Sequence, residues 1–272
     1  MTEELQKRTC FSTPLTGVVF AGDTFMAAVF SGEIELTQML LHVILGNDKI
    51  KVITSVGQYA IKNLQGRSST LDIFCQDEQG RYFNVEVQRD SAGAVPQRAR
   101  YHQSMIDTRH FPVGEKDYWK LHDAYVIFIT ETDVLGGALL KYTIKRTIVE
   151  NGKGFNDGSH IIYVNGEKRF DYTALSMLMH DFFCNNAKDI KNDVLAERVR
   201  HFKEEESGVE EMCEIMQKLA NEEAAKATYE KTVEIATGLL EDGISIDIVS
   251  KNTKLPSEEV EAIAKRLGKL IA

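Results

Sequence analysis

Three polar side chains stand at alternate positions in two neighbouring stretches of the chain: Asp72 in the first, Glu86 and Gln88 in the second. Successive side chains of a β-strand point to opposite faces, so Glu86 and Gln88 share a face, and Asp72 joins them if the stretches pair as a hairpin. Hard cations such as Mg²⁺ bind carboxylate, water and phosphate oxygens. A cation held there could activate a water molecule against a phosphodiester. The alternative is an ordinary amphipathic hairpin with its polar face in water.

Both stretches alternate polar and apolar residues, which predicts strands. The first covers residues 70–75 and the second residues 82–88, and Asp77 and Gly80 between them favour a turn. Residues 124–130 (AYVIFIT) are a continuous apolar run, which is typical of a strand buried on both faces. The sequence therefore predicts a hairpin that belongs to a larger sheet.

Helical spacing of apolar residues occurs before and after this hairpin. It begins at residue 23 and stops at Gly46 and Asn47, whose types favour a helix end. A short strand is predicted at residues 50–56 and a second helix at residues 97–109. The predicted order is helix, three strands, helix, strand, which indicates an α/β fold.

The chain becomes helical and acidic after this α/β part. We predict a lead-in at residues 1–22, an α/β domain at residues 23–171 and a helical region at residues 172–272. The helical region ends in a helix-turn-helix-like segment, in which Ser245 and Ser257 are suited to cap the helices. DNA reading by that segment is one interpretation, and simple packing of two helices is the other.

The chain has 272 residues and a formal net charge of -9 at pH 7. This balance argues against a protein that covers nucleic acid with basic charge, but it allows a local basic groove. The cysteines lack the CxxC spacing of a zinc site. The first residues lack the apolar segment of a signal peptide, and no apolar run reaches the ~20 residues that span a membrane. We therefore expect a cytoplasmic protein without membrane contact.

Several stretches in this order resemble a known superfamily. They are DTFMAAVF, GRSSTLDIFCQDEQGRYFNVEVQR, RARYHQSMID, YVIFITETDVLG, GSHIIYVNG and LMHDFFC with VLAERVRHFKE. Together they resemble the PD-(D/E)XK nucleases, and more closely the recombination-promoting nuclease/putative transposase family. The resemblance covers roughly residues 20–210. It implies a restriction-endonuclease-like αβββαβ core with a central mixed sheet, followed by a helical C-terminal region.

The resemblance also implies an activity, the Mg²⁺- or Mn²⁺-dependent hydrolysis of DNA phosphodiester bonds by an endonuclease. Asp72 matches the metal-binding aspartate, Glu86 matches the second acidic residue, and the peptide carbonyl of Val87 would be a further ligand. Gln88 stands where the superfamily has lysine, and Leu71 stands where it has proline. A glutamine amide can orient a water molecule but lacks the positive charge of lysine, so the change at residue 88 matters more.

The second predicted helix carries candidate DNA contacts at Arg98, Arg100 and Tyr101. Contacts of this kind to phosphate position the DNA without reading its sequence. For both arginines, surface ion pairs with the many carboxylates are the alternative, and Tyr101 could instead lie half-buried between helix and sheet.

Some members of the superfamily place another acidic side chain from the first helix near the metal. Asp23 is the first candidate for that position, because it begins the DTFMAAVF stretch that resembles the family. Glu33 and Glu35 are further candidates, and helical spacing does not choose among the three. A surface position is the alternative for each of them.

Two other functions are left open by the sequence. A catalytically inactive DNA-binding or interaction protein could use the same scaffold, since Gln88 departs from the lysine of active nucleases. A helical oligomerisation protein could depend on residues 172–272 alone. The sequence does not specify the DNA target, the number of metal ions, a homo-oligomeric state or a part in transposition.

Overall fold

The structure, a computed structural model, describes residues 23–63, 67–184 and 187–268. These residues form two compact units. The first contains residues 23–61 and 70–213, and the second contains residues 214–268 with the described residues between 62 and 69. The first unit runs past residue 171, where the sequence analysis placed a domain limit, and that limit stays a prediction. The predicted lead-in at residues 1–22 lies outside the described residues.

The strands of the described residues form one mixed sheet. They are β1 (Val52–Ile61), β2 (Ser69–Asp77), β3 (Tyr82–Gln88), β4 (Ala124–Thr130), β5 (Lys141–Ile144) and β6 (Ser159–Asn165). Their order across the sheet is β1-β2-β3-β4-β6-β5. Strand β3 is antiparallel to β2 and parallel to β4, β4 is parallel to β6, and β5 is antiparallel to β6. The predicted hairpin is therefore part of the centre of the sheet.

The helices of the described residues precede, interrupt and follow the strands. They are α1 (Asp23–Phe30), α2 (Ile34–Leu45), α3 (Pro96–His110), α4 (Ala174–Phe183), α5 (Asp193–Glu204), α6 (Glu206–Glu241), α7 (Ile246–Thr253) and α8 (Ser257–Arg266). The helical stretch predicted from residue 23 is thus two helices. Gly32 between them has a φ of 78°, a left-handed conformation that glycine adopts without steric cost.

Strand β4 is buried on both faces, as its apolar run predicts. Val126 and Phe128 lie on the face that packs against α3, in a cluster that includes Ile106. Ile127 and Ile129 lie on the opposite face and are also fully buried. Helices α1 and α2 contact β1, and α1 also contacts β3. The predicted fold class, a mixed sheet of the restriction-endonuclease type with a helical C-terminal region, is confirmed.

The second unit has a small core of its own. It is formed by apolar side chains of α6, α7 and α8, among them Ala236, Leu240, Val249, Val260 and Ile263. These helices include the helix-turn-helix-like segment, whose reading of DNA stays a prediction. None of the helices in the described ranges is long and apolar enough to cross a membrane.

Candidate active site

The three polar residues singled out by their alternation meet on one face of the sheet. The antiparallel register pairs Phe74 with Asn84 and Ile73 with Val85, so its continuation sets Asp72 opposite Glu86. Residues directly opposite each other share a face. The backbone N–H of Asp72 donates to Glu86 Oε1 at 3.4 Å. The hairpin therefore places the two acidic residues opposite each other on one face.

Asp72 is held by donors from three directions. The backbone N–H of Val87 donates to Oδ2 at 3.1 Å, and Gln88 Nε2 lies 3.4 Å from the same oxygen. Gln58 Nε2 lies 3.4 Å from Oδ1. The residue is 5% exposed. Because buried carboxylates are stable only when their oxygens accept hydrogen bonds, these donors explain how Asp72 remains in the interior.

Glu86 is fully buried, and it has a cationic partner. Its Oε2 accepts from an Arg98 guanidinium nitrogen at 2.9 Å. Its Oε1 accepts from Asn84 Nδ2 at 2.9 Å and lies 3.3 Å from His102 Nδ1. A buried carboxylate without a paired cation would be strongly destabilising, so Arg98 is what allows Glu86 to be placed here.

Arg98 reaches the acids from helix α3, which covers this face. Its guanidinium donates to Glu86, to Gln88 Oε1 at 3.3 Å and to the Gly93 carbonyl at 2.9 Å, and its Nε lies 3.4 Å from His102 Nε2. Residues four apart on a helix are neighbours, which explains why Arg98 and His102 act on the same group. The Arg98 side chain is 33% exposed. Its predicted contact with DNA stays a prediction.

The remaining predicted site residues lie around this network. Arg100 is exposed on α3, and Tyr101 is half-buried against the cluster under that helix. Val87 contributes its N–H to Asp72, and a metal contact from its carbonyl stays a prediction. Asp23 begins α1, and its side chain lies outside the described residues.

Asn84 and His102 belong to the network but were not singled out by sequence. Both are buried, and Asn84 Nδ2 lies 3.1 Å from His102 Nδ1. Asn84 could have been found, because it alternates with Glu86 and Gln88 on the same strand face. The signal for His102 was its spacing of four from Arg98, which becomes informative only when the inward face of α3 is known.

Burial shifts the pKa of two groups near the hairpin. It raises the pKa of the Cys75 thiol far above the ordinary value, and the nearby Asp77 carboxylate adds to the rise. Burial also lowers the pKa of His110, with the charge of Arg109 as the second cause. Both shifts favour the uncharged form, a thiol at Cys75 and a neutral imidazole at His110.

The donor set suits a hard cation. Two carboxylates in one hydrogen-bonded network offer the oxygen ligands that Mg²⁺ and Mn²⁺ prefer, and such ions keep several water ligands. Asn84 Oδ1 is a buried oxygen with no hydrogen-bond partner among the described residues. Within the part of the chain that the structure describes, no group of three His, Cys, Asp or Glu side chains could hold a metal. Asp72 and Glu86 have the chemistry to supply two oxygen ligands to such an ion, and their binding of a metal stays a prediction.

One of three comparisons with known proteins gives a match, and that match is to a family model. No curated protein and no solved structure gives a significant match. A family model described as PD-(D/E)XK nuclease family transposase matches residues 28–238, which include the whole hairpin, α3 and the sheet. The match covers most of the 272 residues and confirms the resemblance to the nuclease superfamily. The chain belongs to the PD-(D/E)XK nuclease family of transposases.

Proposed function

We propose that the protein is a Mg²⁺- or Mn²⁺-dependent endonuclease that hydrolyses DNA phosphodiester bonds in recombination or transposition. One observation carries the proposal: Asp72, Glu86 and Gln88 converge on one face of the β2–β3 hairpin, joined by contacts of 3.4 Å. The alternation of these residues suggested the site, and the family match gives it a nuclease context.

Each residue has a distinct part in this proposal. Asp72 and Glu86 would hold the cation, with the Val87 carbonyl as a further ligand. The bound cation would supply an acidic water and offset negative charge that develops on the phosphate. Gln88 would hold the attacking water in line through its amide. Asp72 and Gln88 are 5% and 7% exposed whereas Glu86 is 0% exposed, so we expect the cation to enter from the side of Asp72 and Gln88.

DNA would approach the side of the sheet that α3 covers. Arg100 is exposed on this helix and can meet a phosphate, and we expect further contacts from Arg98 and Tyr101. Phosphate contacts of this type set the register of DNA and weaken as salt is added. A cytoplasmic location, a homo-oligomer and an extra acid at Asp23 stay predictions.

A plasmid-nicking assay with Mg²⁺ or Mn²⁺ tests the proposal. We expect the wild type to nick supercoiled DNA and EDTA to stop it. Asp72→Asn should lower the rate by at least about 10²-fold, the size expected when one electrostatic group of an active site is lost. Asp48→Asn is the matched control, since Asp48 is an exposed residue between α2 and β1. Equal nicking by wild type and Asp72→Asn would refute the site.

A second candidate is a catalytically inactive DNA-binding protein on the same scaffold. The observation that favours it is the contact of Arg98 with Glu86 Oε2 at 2.9 Å, which already neutralises the more buried acid. It predicts salt-dependent DNA binding without cleavage. Titration of Mn²⁺ by calorimetry separates the two candidate functions. Mn²⁺ binding by the wild type that is abolished in Asp72→Asn would favour the nuclease, and absence of binding would favour the inactive protein.

A further inference from the structure

The side-chain amide of Gln88 has a defined orientation. An amide presents a donor end and an acceptor end, so its chemistry depends on which end faces the acids. Nε2 lies 3.4 Å from Asp72 Oδ2, and Oε1 lies 3.3 Å from an Arg98 guanidinium nitrogen. The reverse orientation would place oxygen against oxygen at Asp72 and N–H against N–H at Arg98. The two neighbours therefore favour the same orientation.

Arg98 can impose this orientation because its own position is fixed by other groups. The nitrogen that contacts Gln88 also donates to the Gly93 carbonyl at 2.9 Å. The other terminal nitrogen donates to Glu86 at 2.9 Å. A planar guanidinium held at both ends offers its N–H groups in fixed directions.

Gly93 makes room for the amide oxygen. A Cβ atom added at residue 93 would lie 2.1 Å from Gln88 Oε1, closer than non-bonded atoms approach, and 3.2 Å from Gln88 Cδ, a tight contact. The φ of Gly93 is not positive, so alanine is compatible with the backbone there. The Gln88 amide can therefore keep this position only if residue 93 has no side chain.

We propose that Arg98 and Gly93 are positioning residues that fix Gln88 with its NH₂ group toward Asp72. Gln88 is then a hydrogen-bond donor at the position where the superfamily has lysine, and it shares with lysine the ability to donate to a water or phosphate oxygen. The proposal rests on the proposed function for its catalytic consequence. The orientation itself can be tested without any activity.

The catalytic consequence is tested by a double-mutant cycle of Gly93→Ala and Gln88→Ala. The added methyl group displaces the amide, and misplacement of about 1 Å in an active site costs up to about 10²-fold. We expect Gly93→Ala to lower kcat by about 10- to 100-fold with KM for DNA unchanged. In the Gln88→Ala background, Gly93→Ala should leave kcat unchanged. Gly238→Ala is the control, because a Cβ there meets no atom within 4 Å.

Equal losses from Gly93→Ala in both backgrounds would overturn the catalytic part, since residue 93 would then act without Gln88. Arg98→Lys supplies a second variant. It keeps the positive charge beside Glu86 but loses the fork that also binds Gln88, so we expect kcat to fall while the protein remains folded. An unchanged kcat in Arg98→Lys would contradict the proposal.

The orientation is tested by the melting temperature of Gln88→Glu in EDTA. With NH₂ toward Asp72, this change replaces a donor by a carboxylate oxygen, and we expect Tm to fall by about 2–4 °C. With the amide reversed, an oxygen already faces Asp72 and the change would replace the N–H group against Arg98 by an acceptor, so Tm would hold or rise. A Tm that does not fall would overturn the proposal, whether or not the protein cuts DNA. Absence of nicking by the wild type would instead refute the proposed function and leave the orientation standing.

Discussion

The two faces of strand β3 are buried to nearly the same degree but differ in chemistry. One face carries Phe83, Val85 and Val87, and the other carries Asn84, Glu86 and Gln88, with at most 7% of any of them exposed. Burial of apolar groups stabilises a fold without directional contacts. Burial of polar groups costs free energy unless each is hydrogen-bonded. Stability alone explains why the apolar face is buried, but it does not explain why polar side chains are buried on the other face.

That explanation comes from the elements that pack on each face. The apolar face requires side chains of suitable size, and many apolar combinations satisfy it. The polar face requires Arg98 and His102 at defined positions on α3, because each lies within 3.4 Å of several partners. Networks of this kind lose more than one contact when one member is removed. The comparison therefore predicts that single substitutions lower the free energy of unfolding more on the polar face than on the apolar face.

The largest effect is expected from Arg98→Ala. It leaves the fully buried carboxylate of Glu86 without its cation, and loss of one partner of a buried pair typically costs about 3–5 kcal/mol. Urea unfolding of the metal-free protein measures the free energy of unfolding. Arg109→Ala, an exposed change on the same helix, is the control and should stay within about 0.5 kcal/mol of wild type.

A second substitution sharpens this test. Glu86→Gln added to Arg98→Ala removes the unpaired charge, so most of the lost free energy of unfolding should return. A loss of less than about 1 kcal/mol in Arg98→Ala would mean that water reaches Glu86, and the contrast between the two faces would not hold.

The next effect in size belongs to the apolar face. Val85→Ala removes two methyl groups from a fully buried position beside Ile127, and the lost burial and the cavity together cost about 2 kcal/mol. The same unfolding measurement applies. Nicking should be retained, because no atom of the Val85 side chain belongs to the polar network. Loss of nicking in a variant that is still folded would indicate that the two faces are coupled.

Period-two alternation was sufficient to predict the hairpin and the convergence of its acids. Asp72, Glu86 and Gln88 could be assigned to one face because strand geometry is local and regular. The buried run of β4 was equally clear, since both faces of a central strand are covered. The family resemblance added the order of elements, which the strand pattern alone does not fix.

The contacts from α3 could not be predicted in the same way. For Arg98 the sequence left two interpretations open, a contact with DNA and an ion pair with a carboxylate, because charged residues on a helix are usually exposed. Which face of a helix points inward depends on what it packs against, and here the buried acid on β3 gives an inward arginine a partner. The division of the first helical stretch at Gly32 was missed because its apolar spacing continues on both sides. Both features depend on tertiary packing and not on local pattern.

The smallest effect is expected from an exposed ion pair that serves as a reference for the buried one. His201 on α5 lies 2.8 Å from Glu205 and 3.3 Å from Glu211, and hydrogen bonds first to Glu205 and then to Glu211 raise the pKa of its imidazole. A histidine with a raised pKa stabilises the fold below its unfolded pKa, and this contribution is lost as pH rises through the folded pKa. Because the pair is exposed, it should contribute only a few tenths of a kcal/mol. His201→Gln should therefore lower the free energy of unfolding by a few tenths of a kcal/mol at pH 6 and leave it nearly unchanged at pH 8.5. Glu204→Gln, a change at an exposed residue of the same helix, is the control. A contribution of several kcal/mol from His201 would show that an exposed pair can stabilise as much as a buried one, and the interpretation of Arg98 would then fail.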